Sequence, residues 1–389
     1  MKAIIQTQDL HAALGAACSI IKGDESIRIT FERAGETTES AAEDGVGAGV
    51  PGLIRILAFN DLVVRETRHP AVVSQTGSIA VSGEALRKFV SASVKSDASL
   101  TLETSGSDSG RSLRVETSRG AHEFDLVSGA VFEAVSAGAA PGEMMSLRNF
   151  ASALSTAVIA AATPAEASGA KAVLIGVHIR KRGEIIDVVG TNAKRMSLAK
   201  LRVIDVDAVD LDEAPDGATI PTSAVSIISK MIADGPARIK FTATSVVVEA
   251  EDGTLAARLI DAPYPDYARL LGMKAQHTIE IDSNSIVTAM SRCSASIGAD
   301  ARFVAAQLAR DGAGIHLTSR TSGQSSSEMI SEDAGGEVAI GFDIRYMTAA
   351  MKAISAKKAE IEFTDADSPI FIRSADRPDL TMLVMPCRV

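Results

Sequence analysis

Three times along this chain a short apolar strand runs into a helix with apolar side chains four residues apart: "IIQTQDLHAALGAAC" from Ile4, "MMSLRNFASALSTAV" from Met144 and "TIEIDSNSIVTAMSRC" from Thr278. Superposing Leu10, Phe150 and Ile286 also superposes Leu14, Leu154 and Met290. A second amphipathic helix follows in each copy, "SGEALRKFVSASVK", "PTSAVSIISKMIA" and "DIRYMTAAMKAIS", with the apolar residues gathered on one side at about 100° per residue. Each is trailed by a run that alternates apolar and polar positions as half-buried strands do: "ASLTLETS", "ARIKFTATSVVVEAE" and "AEIEFTDADSPIFIRS". A repeated order of elements is the signature of a repeated domain. The pattern therefore predicts an α+β chain of three similar domains, 1–140, 141–274 and 275–389, each with two helices packed on antiparallel sheets. One stretch breaks the pattern. Residues 32–52 are acidic, glycine-rich and without period, which predicts an exposed insertion in the first domain.

Composition narrows the function classes. With 46% apolar residues the chain can bury substantial cores, while aromatics at 4% and no Trp leave few stacking platforms for single-stranded nucleic acid or sugars. Cys18, Cys293 and Cys387 are odd in number and far apart, as expected of small buried hydrophobes rather than disulfides or zinc ligands. The six histidines show no metal-ligand spacing, and no nucleophile or phosphate-loop motif occurs. No enzymatic activity and no cofactor are expected. Without a membrane span or signal-peptide pattern, a cytoplasmic location is expected.

The net charge of −10 argues against nucleic acid until its distribution is read. On or beside the predicted helices stand Lys22, Arg87, Lys88, Lys95, Arg148, Lys230, Arg292, Arg345, Lys352, Lys357 and Lys358, opposed only by Asp9 and Glu84. Met347, Met351 and Ile354 share one side of their helix, and Arg345 and Lys352 the other. Helices with one apolar and one basic face suit a sheet on one side and solvent or a polyanion on the other.

Three further motifs fix a resemblance. "VVGTNAKRMSLAKL" at Val188–Leu201 is similar to a strand and turn written T-D-G-H-R-L-A, "YPDYARLL" at Tyr264–Leu271 to F-P-D-Y-x-R-[VL]-[LI], and the tail "VMPCRV" to V-M-P-[MV]-[RK]-L. In that order and spacing, with "GEVAIGFDIRYM", they resemble the bacterial DNA sliding clamp, the beta subunit of DNA polymerase III. Departures are Asn192 for Asp, Ala193 for Gly, Lys194 for His and Cys387 for Met, and the R-x-x-L-P-[IV]-L-x-N stretch after the first helix is not recognisable.

The resemblance implies a DNA-clamp fold and a head-to-tail homodimer closed into a ring around duplex DNA. It implies a processivity factor that tethers the replicative polymerase, the clamp loader and other proteins carrying a clamp-binding motif, typically a Gln followed by Leu and Phe. The groove for that peptide would be formed by Leu174, Thr191, Ala193, Arg195, Met196, Pro265, Arg269, Leu270, Tyr346, Leu383, Val384, Met385, Pro386 and Arg388. DNA would be faced by Lys22, Arg87, Lys88, Arg148, Lys230, Arg345 and Lys352, through phosphates and without base readout. Phe124, Leu126 and Ile297 would form the dimer interface, although Phe124 and Leu126 could equally fill their own domain's core. The alternatives are a clamp-like regulatory protein that binds partner peptides without encircling DNA, and a small-molecule enzyme on a repeated scaffold.

Overall fold

The computed structural model describes residues 1–21, 25–34, 49–105, 112–127, 143–167, 169–233, 235–297, 305–320, 324–332 and 335–388. Among the described residues, six helices fall where the apolar periodicity puts them: α1 Thr7–Ala17, α2 Gly83–Ser93, α3 Arg148–Ala160, α4 Thr222–Ala233, α6 Ser283–Ile297 and α7 Ile344–Ile354; the short α5 Ala268–Leu271, within "YPDYARLL", is not among those expected. None of the helices is long and apolar enough to cross a membrane.

The start of α7 is set by Asp343, whose side chain accepts the Arg345 N–H at 2.9 Å. Its end is set by Ser355, in the left-handed region at φ 50°. Between them Ile344, Met347, Ala350, Met351 and Ile354 are buried while Arg345 and Lys352 are exposed, the sorting the pattern predicts. The helix charges are fewer than the sequence suggested. Lys95 falls beyond the end of α2, Lys357 lies outside α7 and Lys358 opens the strand Lys358–Phe363, where it meets Glu280 at 2.5 Å.

Contacts divide the chain into two compact units. One comprises Met1–Leu147, Ala208–Asp210 and Lys230–Arg258, the other Arg148–Asp207, Leu211–Ser229 and Leu259–Val389. In the first, one sheet runs from Gly253–Arg258 through Val63–Gln75, Lys2–Gln6, Ser99–Ser105 and Ser112–Glu116 to the edge strand Ala121–Asp125. Here α1 packs on Val63–Gln75 and on α2, burying Leu10, Leu14, Leu86 and Val90 completely. The pairing of Val63–Thr67 with Gly253–Ala257 brings a buried guanidinium, Arg65, to Asp252 at 2.6 Å. The expected insertion is shorter than its composition suggested. Glu32 and Arg33 end the strand Ser26–Arg33, and Val50–Gly52 begin the strand Val50–Phe59, because those strands pair with each other through Arg33↔Gly52. Residues 35–48 lie outside the described part.

The second unit holds an eight-stranded sheet in the order Ala218–Pro221, Gly176–Arg182, Ile185–Thr191, Arg195–Arg202, Leu380–Val384, Ile370–Arg373, Lys358–Phe363 and His277–Asp282, with every neighbouring pair antiparallel. A four-stranded sheet, Ser325–Ser331, Gly314–Arg320, Ala305–Asp311 and Val338–Asp343, carries α6. α3 lies on Ile185–Thr191 and Arg195–Arg202. It comes so close that a Cβ on Gly190 would sit 1.9 Å from the Ala157 carbonyl oxygen, which explains the glycine there. α7 packs on the last strand, Leu380–Val384.

Candidate peptide-binding groove

The turn between Ile185–Thr191 and Arg195–Arg202 is built by its own side chains. Asn192 Oδ1 accepts the N–H groups of Lys194 and Arg195, each at 3.0 Å. Thr191 Oγ1 donates to the Arg195 carbonyl at 2.6 Å and accepts from the Ala193 N–H at 3.1 Å. Asn and Thr favour turns through such local bonds. Ala193 is held at φ 68°, a conformation that costs an L-residue with a Cβ about 1 kcal/mol.

The tail closes against this hairpin. Leu380–Val384 pairs with Arg195–Ala199 in the register Arg195↔Val384 and Met196↔Leu383. Beyond it the Met385 N–H donates to the Lys194 carbonyl at 2.8 Å, and the Cys387 N–H to the Gly341 carbonyl at 2.9 Å. Because strand side chains alternate, Leu383 enters a cluster with Val189, Met196, Leu198, Tyr267 and Phe371. Tyr264, Leu270, Leu271 and Met385 border that cluster, half-buried. Val384 is fully buried but outside it. The apolar tail thus supplies a core strand and, just beyond it, Met385 at the half-buried margin of the cluster.

The segment Tyr264–Leu271 packs on the same cluster. Tyr264 touches both this cluster and a second one of Ala162, Ala167, Val173 and Leu174, and its ring stacks on His178 at 4.5 Å and 7°. The Tyr267 hydroxyl donates to Asp187 Oδ2 at 2.8 Å. Arg182 completes this anchor, its Nε 3.3 Å from Asp187 and its guanidinium 5.0 Å from the Tyr267 ring centre. α5 then turns Leu270 inward and leaves Arg269 exposed, as is Pro265. Burial, with Arg180 and Arg182 adding, pushes the His178 imidazole down to about 4.

At the polar end Tyr346, from α7, lies 4.7 Å from the Arg195 guanidinium and 5.8 Å from that of Arg345. Its hydroxyl is 3.4 Å from Glu166 Oε1, to which Asn192 Nδ2 donates at 3.0 Å. Leu174, Thr191, Arg195, Met196, Leu270, Tyr346, Leu383 and Met385 are therefore drawn into one region. Pro386 is half-buried beside it, and Ala193 and Arg388 are exposed, the latter 3.9 Å from Asp367.

Comparison with known proteins covers the same part of the chain. Residues 148–266 match the family model of the DNA polymerase III beta subunit, central domain, and residues 268–388 match that of its C-terminal domain. Together these span more than half of the chain. The chain belongs to the beta sliding clamp family. The beta sliding clamp of Synechocystis sp. is 24% identical over 408 residues, covering 100% of both chains. That of Staphylococcus aureus is 26% identical over 227 residues, covering 57% of this chain and 58% of its own. Among solved structures, a Caulobacter crescentus beta sliding clamp superposes with TM-score 0.82 at 18% identity, over 100% of this chain and 99% of its own. A Bacillus subtilis DNA polymerase sliding clamp does so with TM-score 0.80 at 19%, with the same coverage. The α+β clamp fold expected from the sequence is thus observed along the full length, and the family is a non-enzymatic one.

The remaining residues expected from the clamp family resemblance are less uniform. Arg87 and Lys88 both reach Glu84, at 2.9 and 3.4 Å, and Arg345 reaches Asp343 at 2.6 Å. Arg148, Lys230 and Lys352 are exposed, with no acid partner among the described residues. Lys22 lies outside the described residues, and so does the side chain of Ile297. Phe124 is half-buried, edge-on to Phe89 at 5.5 Å, and Leu126 bridges Val81.

Sequence reasoning missed Glu166, Tyr264, Tyr267, Asp187 and His178. One signal was available: the chain has three tyrosines and no Trp, and Tyr264, Tyr267 and Tyr346 all border this groove.

Two predictions follow from the local geometry. Ala193→Gly should raise stability by up to about 1 kcal/mol, since relief of the positive φ outweighs the entropy of the added glycine; a lower urea midpoint would show that the turn is unstrained. The second concerns acid. The folded-state pKa of His178 lies below its unfolded value, so its contribution is fully present above pH 6.5 and is lost as pH falls through about 4. The loss should amount to roughly 3 kcal/mol. NMR titration should show His178 neutral throughout that window until its lower end, and an ordinary midpoint near 6.5 would overturn the assignment.

Proposed function

We propose that this chain is a processivity clamp: a homodimer of three-domain subunits, with boundaries near 140 and 274, closed around duplex DNA. It tethers the replicative polymerase, the clamp loader and other proteins with a clamp-binding motif through the groove. The observation that carries this reading is the pairing of Arg195–Ala199 with Leu380–Val384, which joins three sequence motifs far apart in the chain around one apolar cluster. Apolar anchoring side chains with a few convergent polar groups suit a short peptide, and methionines such as Met196 and Met385 adapt to varied partners. Ring closure by Phe124, Leu126 and Ile297 is supported by the edge position of Ala121–Asp125, a strand with one ladder partner among the described residues.

One observation favours a second reading, a regulatory protein that binds partner peptides without encircling DNA. Several of the helix cations expected to face phosphates are already paired with neighbouring acids.

Deleting Met385–Val389 should weaken binding of a labelled Gln-Leu-Phe-type peptide by roughly 2–4 kcal/mol, the scale of lost interface hot spots. The dimer mass in sedimentation should stay as in the full chain. Unchanged fluorescence anisotropy would remove the tail from the groove, and a monomer at micromolar concentration in the full chain would remove the ring.

The two readings part on DNA. After loading onto a nicked circular plasmid, a topological link should survive gel filtration at about 0.15 M salt, where exposed charges more than about 8 Å apart are largely screened, and be lost when the circle is cut. Release from the intact circle would favour the second reading.

A further inference from the structure

The groove's polar end carries a carboxylate that the three motifs do not contain. Glu166 is exposed, yet it is fixed from behind. Its Oε2 accepts from the Thr163 N–H at 2.9 Å and from Thr163 Oγ1 at 3.0 Å, while the Glu166 and Ala167 N–H groups return to the Thr163 carbonyl at 2.9 and 3.2 Å. This loop is tied to the groove, because Ala167 packs with Leu174 and the Ala162 N–H donates to the Leu174 carbonyl at 2.8 Å. One oxygen of the carboxylate is thereby spent on the loop, and the other, Oε1, is turned toward Asn192 and Tyr346.

The bonds on that side are unequal. Asn192 Nδ2 donates to Oε1 at 3.0 Å, whereas the Tyr346 hydroxyl stands 3.4 Å from both Oε1 and Asn192 Nδ2. Contacts of 3.4 Å are at the weak end for hydroxyl donors, so an incoming group can replace the Tyr346 hydroxyl at small cost. Burial works to raise the Glu166 carboxyl, but the bonds from Thr163 and Asn192 and the charge of Arg195 hold it below its ordinary value, so it is ionised at neutral pH. Asn192 matters here as well. It stands where the motif has Asp, and an ionised Asp could not donate to Glu166.

We propose that Glu166 is a specificity-determining residue of the groove, accepting from a partner segment that brings a hydrogen-bond donor to the Tyr346 end and rejecting one that brings a carboxylate there. This rests on the groove being a peptide site. A second acid placed beside Oε1 has no proton to share and repels Glu166 at short range, in a setting less screened than open solvent.

The test uses the full chain and two labelled peptides that carry Leu and Phe anchors and differ only in having Gln or Glu at the preceding polar position. The unmodified protein should favour the Gln peptide by at least about tenfold. In Glu166→Gln, which keeps the shape and the acceptor toward Thr163 and gives up the exposed bond from Asn192, that preference should shrink severalfold through tighter binding of the Glu peptide, with the fold retained by circular dichroism. In Asn192→Asp, which adds a carboxylate beside Glu166, the preference should widen. Discrimination that stays the same in Glu166→Gln overturns the proposal while leaving the groove intact. If neither peptide binds the unmodified protein, the groove reading itself fails and the proposal with it.

Discussion

The groove depends on one strand pairing. Leu380–Val384 pairs with Arg195–Ala199 along its whole length on one side, and its Met382–Val384 part with Ile370–Ile372 on the other, so this strand is an interior one. Termini fray when nothing holds them; here two ladders do. The cost of bringing together segments so far apart in sequence grows only with the logarithm of the loop length, and the burial of Met196, Leu383, Tyr267 and Phe371 to within 2–4% exposure opposes it. The rest is attached to this pairing. The turn at Asn192 is pinned by the Met385 N–H, and Tyr346 is presented by a helix that packs on the same strand.

What the sequence made legible follows from period. Side chains of any strand point alternately to its two faces, so one could read that the neighbours Leu383 and Val384 of "LTMLV" part company, and only Leu383 enters the cluster. The amphipathic helices were legible for the same reason, α7 most of all. Glu166 was not, because it stands in a loop with no period, and its role arises from contacts with Asn192 and Tyr346, 26 and 180 residues away. The tyrosines of "YPDYARLL" were in plain view, yet Pro265 and Arg269, chosen from that motif, are exposed, while Tyr264 and Tyr267 do the anchoring. A motif fixes which residues come together but not which of them are buried.

The helix cations show a similar limit. The spacing of Glu84 from Arg87 and Lys88 is the i, i+3 and i, i+4 spacing that pairs on a helix surface, so that neutralisation could have been foreseen. The Arg345–Asp343 pair could not, since it joins a helix residue to its own N-cap. Exposed pairs such as those of Glu84 contribute about 0–1 kcal/mol and exchange readily for other partners, whereas Asp343 is buried and held as the cap of α7. A protein linked to DNA by topology needs no strong contact, and strong contacts would oppose sliding. Weak, partly neutralised cations are therefore compatible with the clamp reading even though they lower the total attraction.

Floor and rim of the groove answer to different constraints. The floor is buried, and its polar contact from Tyr267 to Asp187 is backed by Arg182, so a change there leaves a buried partner unsatisfied and is costly. The rim is solvated, and its turn survives Asn192, Ala193 and Lys194 in place of the Asp, Gly and His of the family motif because backbone bonds through Thr191 and Asn192 still form it. Three of the four departures from the motifs, Asn192, Ala193 and Lys194, fall in this turn, whereas Met196 beside it is buried in the apolar cluster. If the proposed peptide reading holds, affinity for a common apolar anchor would reside in the floor, and selectivity among partners in the rim. A chain about 20% identical to its relatives can therefore keep a shared mode of binding while its preference among partners shifts with a few polar side chains around Tyr346.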